Sequence, residues 1–200
     1  MIFNGEMVRA ILDGRKTQTR RIMKNQPAGD YPDTPALIRS VGNGFQWYGH
    51  YGESSIFNCP FGAVGDRIWV RETWAEAGAG APDLKLYCAN YPEHVPTHYE
   101  NVPPANEIRW TPSIHMPRWA SRLTLEITGV RVERLASVSD DDAGKEGYPA
   151  NPAPYGGDMD KWLWFRQLWD SIYPDQSFKH NPWVWVIEFR RIEGDDHETD

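Results

Sequence analysis

Cysteine is scarce in this 200-residue chain: Cys59 and Cys88 are the two, with a long polar stretch between them. Two isolated cysteines make no disulfide framework, which points to a reducing compartment. Long apolar runs are missing too, so no segment of the sequence is suited to spanning a bilayer. The residues Met1-Ile2-Phe3-Asn4-Gly5-Glu6 lack the basic-then-apolar layout of a secretory signal. A cytoplasmic protein with no membrane partner is expected, a monomer by default. Metal-ligand spacings are also absent. His50, His94, His98 and the two cysteines are scattered over separate loops, so neither a metal nor another cofactor is expected. No internal repeat is visible.

Positive charge is in deficit, with a formal net charge of −7, but the deficit is uneven. Glu193, Asp195, Asp196, Glu198 and Asp200 crowd into 193–200, which reads as a disordered acidic tail and leaves −2 for the body. The first 25 residues run the other way. Arg9, Arg15, Lys16, Arg20, Arg21 and Lys24 face only Glu6 and Asp13, giving +4. Positive charge concentrated against the chain's own average prepares a site for an anion or an electron-rich heterocycle. Aromatic residues are plentiful, with ten Trp, nine Tyr and seven Phe, enough to fill a core or to stack on bases.

Along the chain, 4–13 reads as a short helix. Asn4 is its N-cap, Met7, Val8, Ile11 and Leu12 its apolar stripe, and Gly14 fits the position after its end. Residues 25–64 and 75–117 read as two long loop excursions. Between them 67–74 reads as a strand, and 84–88 and 107–110 as short strands that pair with each other. Residues 119–134 alternate strongly, with a change of parity at Thr128-Gly129 that suggests a bulge. Ser139 and Asp142 form a capping box for a helix that Gly147 ends. A helix over 159–172 carries Trp162, Phe165, Leu168, Trp169 and Ile172 on one face, and 183–189 is a final strand. Strands with few, segregated helices predict an α+β fold: one domain over 1–192, a small partly closed barrel with flanking short helices and two long loop insertions.

Three motifs carry candidate chemistry: Gly14-Arg15-Lys16-Thr17-Gln18-Thr19-Arg20, Gly65-Asp66-Arg67-Ile68-Trp69-Val70-Arg71-Glu72, and Ala143-Gly144-Lys145-Glu146-Gly147. Their order and spacing resemble the ASCH domain, a PUA-related β-barrel family. The ending Asn181-Pro182-Trp183-Val184-Trp185-Val186-Ile187-Glu188-Phe189 looks like the closing strand of its phage- and prophage-type members. The excursions at about 25–60 and 76–115 lie outside the resemblance. The resemblance implies a PUA-like barrel and a basic cleft for a modified pyrimidine nucleoside or single-stranded RNA. It also implies the catalytic trio of the N4-acetylcytidine amidohydrolases: Lys16 as base, Thr19 as nucleophile and Glu146 as proton donor. A non-catalytic RNA-binding module and a ribonuclease are the alternatives.

The residue types suit those roles on their own. A lysine acts as a base only when neutral, and neighbouring arginines lower its pKa. A threonine needs a partner to take its proton. A carboxyl at a helix C-terminus faces the negative end of the dipole, which favours its acid form. Arg15, Arg20 and Arg21 suit phosphates, and Glu72, next to Arg71, suits an exocyclic amine. Lys16, Thr19, Glu72 and Glu146 are expected to converge on one pocket. In a straight strand, however, Lys16 and Thr19 have opposite parity, so their cooperation requires the chain between them to turn. Asp66 reads as a turn residue, and the tryptophans at 162–169 and 183–185 as packing.

Overall fold

Asn4 sets the first element: its side chain accepts from the Met7 amide at 2.8 Å, satisfying one of the donors that a helix start leaves open. The helix, α1, runs Gly5–Leu12 and buries Val8, Ala10 and Ile11. Gly14 follows it at a φ of 73°, a left-handed conformation that glycine adopts freely. The computed structural model describes residues 1–27, 36–152 and 157–192. The acidic tail at 193–200 lies outside them. Among the described residues the strands are β1 Gln18–Ile22, β2 Leu37–Val41, β3 Gly44–Gly49, β4 Gly52–Glu53, β5 Arg67–Trp69, β6 Trp74–Glu76, β7 Lys85–Tyr87, β8 Thr124–Arg134 and β9 Trp183–Ile192. Two further helices, α2 Asp140–Lys145 and α3 Asp160–Ile172, lie between β8 and β9 in the chain.

The chain is mixed helix and strand, as expected of an α+β protein. A curled antiparallel sheet has the order β1-β9-β8-β5, β2-β3-β4 form a second sheet, and β6 pairs with β7. No helix among the described residues is long and apolar enough to cross a membrane. By contact the chain divides into two compact units. One comprises Met1–Gly14, Ile68–Leu125 and the chain from Arg191, and the other Arg15–Arg67 and Glu126–Arg190.

In the second unit, Val184 and Val186 of β9 join Leu135, Val138, Ala143, Phe165, Trp169 and Phe178 in one core. Trp185, on the opposite parity, meets Phe45 edge-on at 5.3 Å and Phe57 at 5.9 Å. Strand β9 is therefore buried on both faces over 183–187, which explains why that stretch is all apolar, while its end at Arg190 and Arg191 is charged and exposed. On α3 the expected stripe is partly shifted. Phe165 and Trp169 are buried and Trp164 packs on the core, whereas Ile172 is exposed.

The excursion expected over 25–64 contains structure of its own, the β2-β3-β4 meander. Val41 pairs with Gly44, which leaves Gly42-Asn43 as a two-residue turn, and Gly42 supplies the positive φ of 59°. Asp66 makes the turn expected of it, accepting from the Ala63 amide at 2.8 Å.

In the first unit the strand expected over 67–74 is broken. The Val70 amide donates to Leu123, that of Arg71 to Met1, and that of Glu72 to the Met116 sulfur, so these donors are met outside a ladder. The partner of β7 is β6 rather than 107–110, where Pro104 opens a 3₁₀ turn over Ala105–Glu107. Likewise Pro117 opens a 3₁₀ turn over Arg118–Ala120, so β8 begins only at Thr124. Trp74, Tyr87, Met116 and Ala120 form a small core.

Candidate functional site

Lys16 sits just ahead of β1, where it forms an isolated antiparallel bridge with Glu146, the residue that closes α2. The Thr17 amide donates to the Lys145 carbonyl at 3.0 Å, fastening the start of β1 to the end of that helix. Gly147 then leaves at a φ of 106°. Backbone geometry thus brings two motifs together before any side chain contributes.

The Lys16 ammonium donates to the Gln18 carbonyl at 2.9 Å, the Glu146 carbonyl at 2.8 Å and Glu146 Oε2 at 3.0 Å. Three N–H groups thus have three acceptors. Burial pulls the Lys16 pKa below its ordinary value of 10.5, Glu146 opposes that shift, and Arg21 and Arg20 add to it. The direction is the expected one, but desolvation outweighs the arginines. The other Glu146 oxygen, Oε1, accepts from Arg20 NH1 at 3.0 Å. To act as an acid, Glu146 would have to carry a proton on a carboxyl whose two oxygens each already accept from a cation.

Arg20 is buried and extends the network. Its Nε and NH2 donate to Glu133 Oε1 at 3.2 and 2.6 Å, and its guanidinium carbon lies 5.6 Å from the Phe165 ring centre. Arg131 donates to Glu133 Oε2 at 3.1 Å, to Asp142 Oδ2 at 2.7 Å, to Gln18 Oε1 at 3.3 Å and to Glu188 Oε1. The Asp142 amide donates to Ser139 Oγ at 3.1 Å, but the Asp142 carboxylate serves Arg131 and Lys145, so the capping box is only half of what its sequence implied. Gly129 makes room for Glu188: a Cβ there would lie 2.8 Å from Glu188 Oε2.

The sequence-selected residues fall into separate groups. Lys16, Arg20 and Glu146 meet, on the side of β1 that carries Gln18 and Arg20. Thr19 is buried opposite Ile187, and strand alternation turns its side chain to the other face. Arg15 NH1 donates to the Tyr148 carbonyl at 2.8 Å, and Arg21 pairs with Trp185 across the strands. Arg20, expected to face phosphate, is committed to carboxylates.

Glu72 and Arg71 belong to the other unit. There Arg122 grips both Glu72 oxygens at 2.9 Å and stacks 4.1 Å from the Tyr87 ring centre, while Arg71 stacks 4.5 Å from that of Trp69. His94, of the scattered His/Cys set, accepts from the Tyr87 amide through Nε2 at 3.0 Å.

Sequence reasoning missed Gln18, Arg131, Glu133 and Glu188. The readable signals were Lys16, Gln18 and Arg20 at alternate positions, and one carboxylate, Glu188, inside the otherwise apolar 183–189 stretch of β9. Comparison with known proteins finds no match: no family model, no curated protein and no solved structure is similar to this chain.

Proposed function

We propose that the chain is an ASCH-type protein that binds a modified pyrimidine nucleoside and hydrolyses its N4-acyl amide. The observation carrying this reading is the Lys16–Glu146 pair, 130 positions apart in sequence and 3.0 Å apart in space. The curled antiparallel sheet accords with a PUA-like barrel.

In the proposed route Lys16 takes the hydroxyl proton of Thr19, whose oxygen attacks the acyl carbon. Glu146 passes a proton to the departing cytidine amine, and water then releases the acyl group as acid. Lys16 is near enough in the chain for this, since its ammonium bonds to the carbonyl of Gln18, the residue joined to Thr19. The Thr19 side chain must turn from its present face to complete the arrangement.

Charge selects the ligand. Around the pair the cations Lys16, Arg20, Arg131 and Lys145 face Glu133, Asp142, Glu146 and Glu188, four charges against four, so the network carries no positive excess. A neutral nucleoside suits such a site better than a polyanion, which ranks single-stranded RNA second. The burial and orientation of Thr19 favour one alternative, nucleoside binding without catalysis.

The test is incubation of the purified chain with N4-acetylcytidine in chelator, with cytidine and acetate followed by chromatography. Conversion supports the hydrolase. Saturable binding without product selects the binding protein, and no binding at all rejects both.

A further inference from the structure

Gln18 stands between Lys16 and Arg20 on one face of β1 and is fully buried. Its Oε1 accepts from Arg131 NH2, which fixes the direction of the carboxamide, because reversing it would aim two donors at each other. The other end, Nε2, is buried without a hydrogen-bond partner among the described residues. A buried donor left unpaired carries its full desolvation cost, so such a group in a native fold calls for an acceptor.

The side chains around it grade outward. Those of Lys16 and Arg20 are closed to solvent, Glu133 and Asp142 are about one-fifth exposed, and Arg131 and Glu188 are 35% and 43% exposed. The network therefore meets solvent at Arg131 and Glu188, with carboxylates beside both. Those carboxylates accept hydrogen bonds, whereas Gln18 Nε2 donates one.

We infer that Gln18 Nε2 receives a ring carbonyl oxygen of the ligand, which makes the ligand an oxo-pyrimidine rather than an adenine nucleoside. This rests on the nucleoside reading above. Cytosine offers an amino donor for the carboxylates and a 2-oxo acceptor for Gln18, while adenine offers the amino group without a carbonyl. Gln18 is then a specificity residue, distinct from the proton-handling Lys16 and Glu146.

Calorimetric titration of the full chain with cytidine, 2-thiocytidine and adenosine tests this. Sulfur is a weak acceptor, so the wild type is expected to bind 2-thiocytidine about 10-fold more weakly than cytidine, and adenosine more weakly still. Gln18→Leu and Gln18→Met should bind cytidine about 10-fold more weakly and lose the discrimination between oxygen and sulfur. A purely structural glutamine would not produce that loss. Equal wild-type affinity for cytidine and 2-thiocytidine overturns the assignment and leaves nucleoside binding intact, and needs no variant to fold. Retained discrimination in a folded variant overturns it too. Wild type that binds no nucleoside removes the parent reading and this inference together.

Discussion

Glu72 and Glu146 are both buried carboxylates, 2% and 4% exposed, and both are held by arginine. Their wiring differs. Glu72 gives both oxygens to the fork of Arg122, Asn90 accepts from the same guanidinium at 2.9 Å, and the Tyr87 ring covers it. One charge cancels one charge. Burial pushes the hydroxyl of Tyr87 up to about 12, with Arg122 opposing and Glu72 reinforcing the shift. Glu146 instead divides its oxygens between Lys16 and Arg20, and Arg20 is shared onward with Glu133. A closed bidentate pair has one good arrangement, while a shared network with a titratable lysine and an unpaired Gln18 donor has several. The first wiring suits structure and the second suits chemistry.

The sharpest way to break that contrast is to keep the charge of Lys16 and remove its titration. Lys16→Arg should lower deacetylation by ~10²–10⁴-fold, because a guanidinium stays protonated and cannot act as a base. Chromatographic rates would measure it, and wild-type turnover in the variant would eliminate the base role.

Arg122→Ala comes next. It strands Glu72 as a buried, unpaired charge and should cost about 3–5 kcal/mol in urea unfolding. Neutralising both partners, with Glu72→Gln and Arg122→Met together, should recover much of that loss, since no charge is then stranded. A cost below about 1 kcal/mol for Arg122→Ala would mean that the pair behaves like a surface ion pair.

The helices and the long strands were legible because each has a local cause: Asn4 and Ser139 cap, Gly14 and Gly147 terminate, and Val184 and Val186 alternate with Trp185 and Ile187. The meander over 37–53 was misread because its glycines, Gly42, Gly44, Gly49 and Gly52, make the sequence resemble a loop. The informative part was the Gly42-Asn43 turn between apolar neighbours. At the site, the motifs were legible and their wiring was not. Arg131, Glu133 and Glu188 belong to strands whose pairing is non-local, and pairing decides which charges share a face. The parity of Thr19 was readable, and the structure keeps it on the face opposite Gln18 and Arg20.

Gly129 offers a gentler way to perturb the shared network. The glycine reads as a bulge in sequence, and its space is taken by the Glu188 carboxylate. Gly129→Ala should push that flexible, part-exposed carboxylate away from Arg131 and cost about 1 kcal/mol or less. The companion Gly129→Ala with Glu188→Ala should be less destabilised than the sum of the two single changes, because the same space is then vacated. Strict additivity in urea unfolding would show that the two positions do not interact.

The smallest effect is a pH dependence that distinguishes the two wirings, because only the network around Glu146 contains a lysine. Burial places the Lys16 pKa in the native state below 10.5, the value it recovers on unfolding. Between those two values the unfolded chain binds more protons than the native one, so this group makes stability rise with pH. The slope is at most about 1.4 kcal/mol per pH unit and vanishes below the native pKa and above 10.5. Lys16→Met removes the group, so wild-type stability minus that of the variant should climb through this window and be flat below it. Urea unfolding of both proteins at a series of alkaline pH values measures the difference. A falling difference would mean that Glu146 and the two carbonyls hold the ammonium more strongly than burial opposes it, and Lys16 would then be a poor base.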